Sequence, residues 1–179
     1  MREKTINSHT VFKGHLLKLD AVDVELVSGR QAKREIVRHP GAVVVLARLP
    51  DGRYAFVRQF RKPIEQVLLE VVAGTRNPGE DARSCAIRET REETGYEVKK
   101  ITSMGFLYTT PGFCNERIDL FFAELSKNQK AQMTDEDENL EVVLLRQDEI
   151  EAMIAKRQIH DSKTLAAWLT LQYHLSAAG

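Results

Sequence analysis

The sequence contains no long apolar segment, only two cysteines and no excess of charge of either sign. Its longest apolar run, near Ala42–Ala47, is far shorter than the ~18–20 residues that cross a bilayer. The first residues, MREKTINSHT, include no apolar stretch typical of a secretion signal. Basic and acidic residues number 26 each, which argues against a surface built to cover nucleic acid. We therefore expect a cytoplasmic protein that binds neither membranes nor nucleic acid.

The two cysteines, Cys85 and Cys114, are far apart in the chain, and neither belongs to a CxxC pair or has a histidine nearby at a metal-ligand spacing. Isolated thiols are typical of a reducing compartment, where a buried cysteine behaves as a small hydrophobic residue. A single disulfide between the two is the alternative. The cysteines therefore predict no metal site of their own.

The length of 179 residues, 42% of them hydrophobic, suits one domain with a sizeable core. Strands followed by a helix, further strands and two final helices predict an α+β fold, or helices that cover a mixed sheet. The predicted strands are 17–26 (with a bulge), 34–37, 41–49, 54–60, 67–73, 98–108, 118–125 and 140–145, and the predicted helices are 81–94, 147–156 and 162–177. Residues 126–139 are predicted as a long loop, and Asp161 or Ser162 as the N-cap of the last helix.

Three glutamates share one side of the first predicted helix. Glu89 precedes Glu92 by three residues and Glu93 by four, and these spacings bring side chains together on a helix. Neighbouring like charges destabilise a helix and raise one another's pKa, and a divalent cation removes that penalty. Oxygen ligands without histidine or cysteine favour Mg²⁺ or Mn²⁺ over zinc. The alternative is a solvated helix whose acids pair with Arg88 and Arg91.

The segment around these acids has a distinctive spacing, A-G-T-R-N-P-G-E-D-A-R-S-C-A-I-R-E-T-R-E-E-T-G-Y. Gly74 is followed after five residues by Glu80 and, after seven more, by R-E-T-R-E-E-T-G. A pattern with seven fixed residues at fixed spacing is expected by chance on the order of once in 10⁸–10⁹ stretches of sequence. The segment resembles the signature of the Nudix hydrolases. It departs from the pattern at Thr90, where an aliphatic residue is usual and where a threonine methyl group still packs.

The resemblance implies a fold, a reaction and residue roles. The implied fold is an α/β/α sandwich with a mixed sheet, and the implied reaction is hydrolysis of a nucleoside diphosphate linked to another moiety, with Mg²⁺ or Mn²⁺ as cofactor. The residues that would hold the metal are the carbonyl of Ala73 and the carboxylates of Glu89, Glu92 and Glu93. Arg88 and Glu80 would orient these glutamates. The resemblance therefore implies two catalytic residues here, Glu93 as a metal ligand and Arg88 as the residue that orients the ligands. Gly74 and Gly95 would allow a loop turn and the helix exit.

Four further segments resemble the ADP-ribose pyrophosphatase, or nucleotide-sugar hydrolase, branch of this family. They are K-R-E-I-V-R-H-P-G-A-V (33–43), V-R-Q-F-R-K-P (57–63), L-E-V-V-A-G (69–74) and Y-T-T-P-G-F (108–113). Pro111 stands about where that branch has a proline and is a candidate for substrate contact. The implied reaction is hydrolysis of ADP-ribose to AMP and ribose 5-phosphate. The alternatives are a broader nucleotide-sugar hydrolase acting on GDP-mannose, a nucleoside triphosphate-cleaning enzyme, and a non-catalytic ligand-sensing module.

The branch also implies substrate contacts for five further side chains. Arg61 matches its diphosphate-binding arginine, whose planar guanidinium suits phosphate oxygens; a surface charge at a strand end is the alternative. Arg34 and Glu35 lie where the family contacts the nucleotide, often from a neighbouring subunit. Glu70 and Glu116 are further candidates. For these last four residues, structural or solvated roles are the alternative.

The acidic segment 134–139 resembles the loop that supplies the catalytic base in this branch. Glu136 is the first candidate for this base and Glu138 the second. A base on a loop suits this role because the loop closes over the substrate and excludes water. A solvated charged segment is the alternative.

The N-terminal region, residues 1–39, is predicted as a small antiparallel β region that precedes a hydrolase domain at residues 40–179. The resemblance implies that this region exchanges across a homodimer and helps to form the nucleotide pocket. Phe12 is predicted to pack in the core, with a contribution to that pocket as the alternative.

Overall fold

The computed structural model of the protein describes residues 2–132 and 139–177. Its strands are β1 (Lys4–Lys13), β2 (Lys18–Glu25), β3 (Gln31–Arg38), β4 (Ala42–Arg48), β5 (Tyr54–Arg61), β6 (Gln66–Thr75), β7 (Tyr96–Tyr108), β8 (Arg117–Gln129) and β9 (Leu140–Leu145). Its helices are α1 (Ala82–Thr94), α2 (Gln147–Ala155) and α3 (Ser162–Ala177). The predicted α+β class is confirmed.

The chain forms two units. The first comprises Met1–Gly41 and Leu107–Ile118, and it contains a three-stranded antiparallel sheet in the order β1–β2–β3. The second comprises Ala42–Phe106 and Asp119–Gly179. It is built on a mixed six-stranded sheet in the order β7–β8–β4–β6–β5–β9. The part that residues 1–39 play in dimerisation and nucleotide binding stays a prediction.

Two helices cover opposite faces of the six-stranded sheet. Successive side chains of a strand point to opposite faces. In β5, Ala55 belongs to a buried cluster with Cys85 and Ala86 of α1. The preceding residue, Tyr54, packs edge-on against Trp168 of α3, with ring centroids 5.1 Å apart. The second unit is therefore the expected α/β/α sandwich.

Strand β6 changes its partner half-way along its length. Residues 66–71 pair with β5, whereas residues 72–75 pair with β4, both antiparallel. At the change, the backbone N–H of Val71 donates to the Oγ1 of Thr164 in α3 at 2.9 Å. The side-chain hydroxyl thus satisfies a buried donor at this position, as buried backbone groups require. The strand is therefore held by β4, β5 and α3 together.

The N-terminal sheet differs from the prediction. Strand β1 was not predicted, and the register shifts lie in β1, whereas β2 pairs regularly with β3. The alternation of apolar and polar residues along β2 is interrupted because Asp20 occupies a buried position on the same side as Val22 and Val24. Ion pairs with Lys18 at 3.0 Å and Arg38 at 3.1 Å compensate its burial. The predicted bulge in β2 is therefore wrong.

Three further expectations need correction. Phe12 is 59% exposed, so its predicted core packing is wrong. Strand β8 continues to Gln129, so the first four residues of the predicted loop 126–139 are strand. Gly74 lies inside β6 and not at a turn that ends it.

Cys85 and Cys114 are both free thiols, which excludes the disulfide. Within residues 2–132 and 139–177, no helix has the length and apolarity needed to cross a membrane.

Candidate active site

Helix α1, which carries the three glutamates, begins and ends at strong local signals. The carboxylate of Asp81 accepts hydrogen bonds from the backbone N–H groups of Arg83 and Ser84 at 3.0 and 3.1 Å. At the other end, Gly95 adopts the left-handed conformation with φ 73°, and its N–H donates to the carbonyl of Arg91. These caps confirm the predicted helix and the predicted role of Gly95 at its exit.

Thr90, which departs from the family signature, is fully buried in α1. Its hydroxyl donates to the carbonyl of Ala86 one turn earlier at 2.7 Å. Because that bond satisfies the polar atom, the threonine takes an apolar position without an unpaired hydroxyl. The departure therefore leaves the helix intact.

Arg88 gathers the carboxylates of this segment. Its Nε and Nη2 each donate to one oxygen of Glu80 at 2.9 Å. Its Nη1 donates to Glu89 at 2.7 Å and to Glu92 at 2.8 Å. The pairing of Arg88 with Glu92, which was the alternative to a metal site, therefore occurs together with the orienting contacts expected of Arg88 and Glu80.

The charges in this cluster stabilise one another. The hydrogen bonds from Arg88, more than any other effect, lower the pKa of Glu80 to about 2. Hydrogen bonding to Glu80 is likewise the largest cause of the raised pKa of Arg88. Glu80 thus stays ionised throughout the neutral range and keeps the guanidinium fixed.

Gly74 in β6 makes room for Glu89. A Cβ atom on Gly74 would lie 1.9 Å from the Cδ of Glu89 and 2.1 Å from its Oε1, far closer than atoms approach without bonding. Any side chain at this position would therefore displace the carboxylate. The requirement for glycine is one of space, which corrects the expected role of Gly74 in a turn.

The residues expected to hold a metal suit a hard divalent cation in donor type. Glu89, Glu92 and Glu93 lie on one side of α1, and Ala73, whose carbonyl was expected to join them, directly precedes Gly74. Glu93 is only 3% exposed, an unusual position for a carboxylate. In the part of the chain that the structure describes, no three acidic, histidine or cysteine side chains are grouped so that they could hold a metal ion. Arg88 instead occupies the space between two of these carboxylates.

Arg61 is held by an ion pair with Glu70 and is not a free charge at the end of the strand. Its Nε and Nη2 donate to the two oxygens of Glu70, both at 2.7 Å, and Glu70 is completely buried. This hydrogen bonding is the largest cause of the raised pKa of Arg61, to which the charges of Asp161 and Glu93 also contribute. Arg61 therefore lies within the electrostatic reach of Glu93 on α1.

Lys163 was missed by the sequence analysis. Its Nζ lies 3.1 Å from Glu70 and 2.6 Å from Asp161, the residue whose side chain caps α3 as expected. No sequence signal joins Lys163 to Glu70, because the two are 93 residues apart and no motif spans them. Only the position of α3 on the sheet brings them together.

The first unit collects three of the predicted substrate residues. Arg34, Glu35 and Pro111 line a pocket of about 440 Å³. Ile36, Tyr108 and Phe113 add apolar and aromatic wall to it. Arg34 also pairs with Glu3 through two of its nitrogens. The pocket has the size and mixed lining typical of a small-molecule site.

Glu116, the remaining predicted substrate residue of this unit, does not line that pocket. One of its oxygens accepts a hydrogen bond from the Oγ1 of Thr109 at 2.8 Å, and the other lies 3.5 Å from the Nδ1 of His39. These contacts favour the structural alternative for Glu116. The candidate bases Glu136 and Glu138 lie outside the described residues.

Several known proteins resemble this chain over most of its length. The family profile described as the NUDIX domain matches residues 37–169. An ADP-ribose pyrophosphatase of Bacillus subtilis is 42% identical over 96% of this chain and 94% of its own length. A methanol dehydrogenase activator of Bacillus methanolicus is 44% identical over 95% of this chain and 92% of its own length. A GDP-mannose pyrophosphatase of Yersinia enterocolitica is 36% identical over 90% and 87% of the two chains.

A solved structure shows the same fold. The crystal structure of an ADP compounds hydrolase superposes with a TM-score of 0.85 over 100% of this chain and 97% of the other, at 21% sequence identity. The sandwich and the N-terminal sheet are thus confirmed as an architecture that already exists in a solved protein. Profile, relatives and the helix of clustered glutamates lead to one conclusion: the chain belongs to the Nudix family of hydrolases.

Proposed function

We propose that this enzyme hydrolyses the diphosphate bond of ADP-ribose, or of a closely related nucleoside diphosphate sugar, and that ADP-ribose yields AMP and ribose 5-phosphate. One observation carries the proposal: α1 presents three carboxylates beside the Arg88 cluster and Gly74 in a chain 42% identical to an ADP-ribose pyrophosphatase. The negative charges of the substrate diphosphate and of the α1 carboxylates repel one another. Binding of the substrate at α1 therefore requires a cation between them.

Nudix hydrolases in general need a divalent metal ion, and Mg²⁺ is the ion proposed here, with Mn²⁺ as the alternative. Glu89, Glu92, Glu93 and the carbonyl of Ala73 would hold it. When bound, the ion supplies positive charge to the diphosphate and activates water as a nucleophile. Arg88 keeps Glu89 and Glu92 on the same side of the helix. Arg88 thus orients two of the three proposed carboxylate ligands.

The remaining residues have roles in binding and in proton transfer. Arg61 is proposed to bind the diphosphate, with Glu70 fixing its orientation. Arg34, Glu35 and Pro111 are proposed to contact the nucleotide, since they line a pocket of suitable size.

A carboxylate of the acidic segment 134–139 is proposed to take the proton from the attacking water. Glu136 is the first candidate for this base and Glu138 the second. Glu116 remains a weaker candidate for substrate contact.

A substrate panel tests this proposal. With Mg²⁺, we expect kcat/KM for ADP-ribose to exceed that for GDP-mannose and for deoxynucleoside triphosphates by about tenfold or more. Products formed in ¹⁸O-labelled water identify both the bond that is broken and the phosphorus that is attacked. Faster turnover of GDP-mannose, the substrate named for the Yersinia relatives, would assign the broader alternative instead.

We also propose that the protein is a homodimer formed through its N-terminal region. Strand β1 is the edge of its sheet, and Ile6, Val11 and Phe12 on it are 48–59% exposed. Exposed apolar side chains along a sheet edge are typical of an interface. Light scattering should give about twice the chain mass of 20.3 kDa. Phe12→Asp should lower the measured mass towards that of one chain, and a wild-type monomer would contradict the proposal.

A further inference from the structure

The buried carboxylate of Glu70 has two cationic partners. Arg61 donates to both of its oxygens at 2.7 Å, and the Nζ of Lys163 donates to Oε2 at 3.1 Å. The Glu70 side chain is 1% exposed. A buried carboxylate is tolerated only when its hydrogen-bonding capacity is met. Lys163 therefore belongs to the group of charges that decides where Arg61 points.

Lys163 is itself held in place from the other side. Its Nζ donates to the Oδ1 of Asp161 at 2.6 Å, and the Oδ2 of Asp161 accepts from the backbone N–H and the Oγ1 of Thr164 at 2.9 and 2.7 Å. Thr164 in turn accepts from the N–H of Val71, the residue after Glu70. The contacts form a closed ring between β6 and the first turn of α3.

The ring keeps Asp161 ionised. Burial acts to raise the pKa of Asp161, but its ion pair and hydrogen bond with Lys163 and the bonds from Thr164 outweigh burial and lower it. A neutral Asp161 would release Lys163. The ring is therefore intact at neutral pH.

The geometry of Arg61 shows what the ring accomplishes. A guanidinium carries five N–H groups in one plane, and the fork to Glu70 uses the Nε–H and one N–H of Nη2. The orientation of that plane sets the directions of the other three N–H groups. The Arg61 side chain is 37% exposed, so a substrate can reach it. Fixing Glu70 thus fixes the donors offered to a diphosphate.

We propose that Lys163 is a positioning residue for diphosphate binding, which it serves by holding Glu70 and, through Glu70, the guanidinium of Arg61. The inference rests on the proposed role of Arg61. Lys163 acts in a second way as well. A carboxylate shared with a second cation cancels less of the charge of Arg61, so more attraction remains for an anionic substrate.

Lys163→Met tests the inference, with Lys156→Met as its matched control because Lys156 is exposed at the end of α2. We expect Lys163→Met to raise KM for ADP-ribose about 5- to 20-fold while kcat changes less than about threefold. Lys163→Arg should restore most of the affinity, and Lys156→Met should change neither constant. Circular dichroism and thermal unfolding verify that each variant is folded. An unchanged KM in folded Lys163→Met would overturn the inference, as would a fall in kcat alone.

A double-mutant cycle with Arg61→Ala separates positioning from a general structural effect. If Lys163 acts through Arg61, Lys163→Met causes no further rise in KM once Arg61 is alanine. Independent, multiplying effects would show that Lys163 acts on its own. If Arg61→Ala raises KM and Lys163→Met does not, only the inference fails. If Arg61→Ala itself leaves KM unchanged, the proposed role of Arg61 fails and the inference fails with it.

Discussion

Glu93→Gln is expected to lower kcat about 10²- to 10³-fold, because a metal ion bound by this carboxylate contributes several kcal/mol of transition-state stabilisation. The substitution keeps the size of a side chain that is 3% exposed and removes its charge. The fold should therefore persist while divalent-ion binding weakens. Steady-state kinetics with ADP-ribose and titration calorimetry with Mn²⁺ measure the two effects separately.

Glu97→Gln is the matched control for this experiment. Glu97 lies four residues further along the chain, at the start of β7, and pairs with Lys130 at the surface. The control removes the same charge without touching α1. Full activity of folded Glu93→Gln would refute the assignment of this residue to the metal. Equal losses in both variants would point to a general effect of net charge.

Gly74→Ala is expected to reduce kcat/KM about 10²-fold with little loss of stability. The added methyl group would occupy the position of the Glu89 carboxylate, with Cβ to Cδ at 1.9 Å. Because the end of a glutamate side chain moves more easily than a packed backbone, the carboxylate gives way and leaves its place beside Arg88. Kinetics and thermal unfolding of the same preparation distinguish these outcomes.

A cycle with Glu89→Gln shows whether that displacement is the cause. Once the charge of Glu89 has been removed, Gly74→Ala has little left to disturb, so the two losses should be far from multiplicative. Multiplicative losses would mean that Gly74 acts elsewhere. A large drop in melting temperature for Gly74→Ala would place the damage in the sheet and not at Glu89.

The sequence was most informative where the physical determinants are local. The bounds of α1 follow from the cap at Asp81 and the left-handed Gly95, each within one residue of the helix. The contacts of Arg88 with Glu80, Glu89 and Glu92 follow from helical spacing and from the family signature. The bounds of α1 and the contacts of Arg88 could therefore be predicted.

Features that depend on distant parts of the chain could not be predicted. The bulge in β2 was predicted wrongly because Asp20 points inward, where Lys18 and Arg38 compensate its burial, and an alternation of apolar residues does not detect that compensation. Lys163 was overlooked because α3 returns to β6 only in the folded chain. The spatial role of Gly74 was mistaken for a conformational one, since a sequence does not show which side chain approaches a glycine.

The change of partner along β6 has a consequence for how substrate preference diverges in proteins of this architecture. Glu70, which orients Arg61, lies in the half of β6 that pairs with β5, and Gly74, which makes room for Glu89, lies four residues further on in the half that pairs with β4. Because both lie on one strand, the spacing between them is fixed. Loop insertions cannot alter it, and an added residue within the strand would invert every side chain beyond it. Divergence towards a different sugar or base is therefore expected outside this strand, for example in the N-terminal sheet that is proposed to contact the nucleotide.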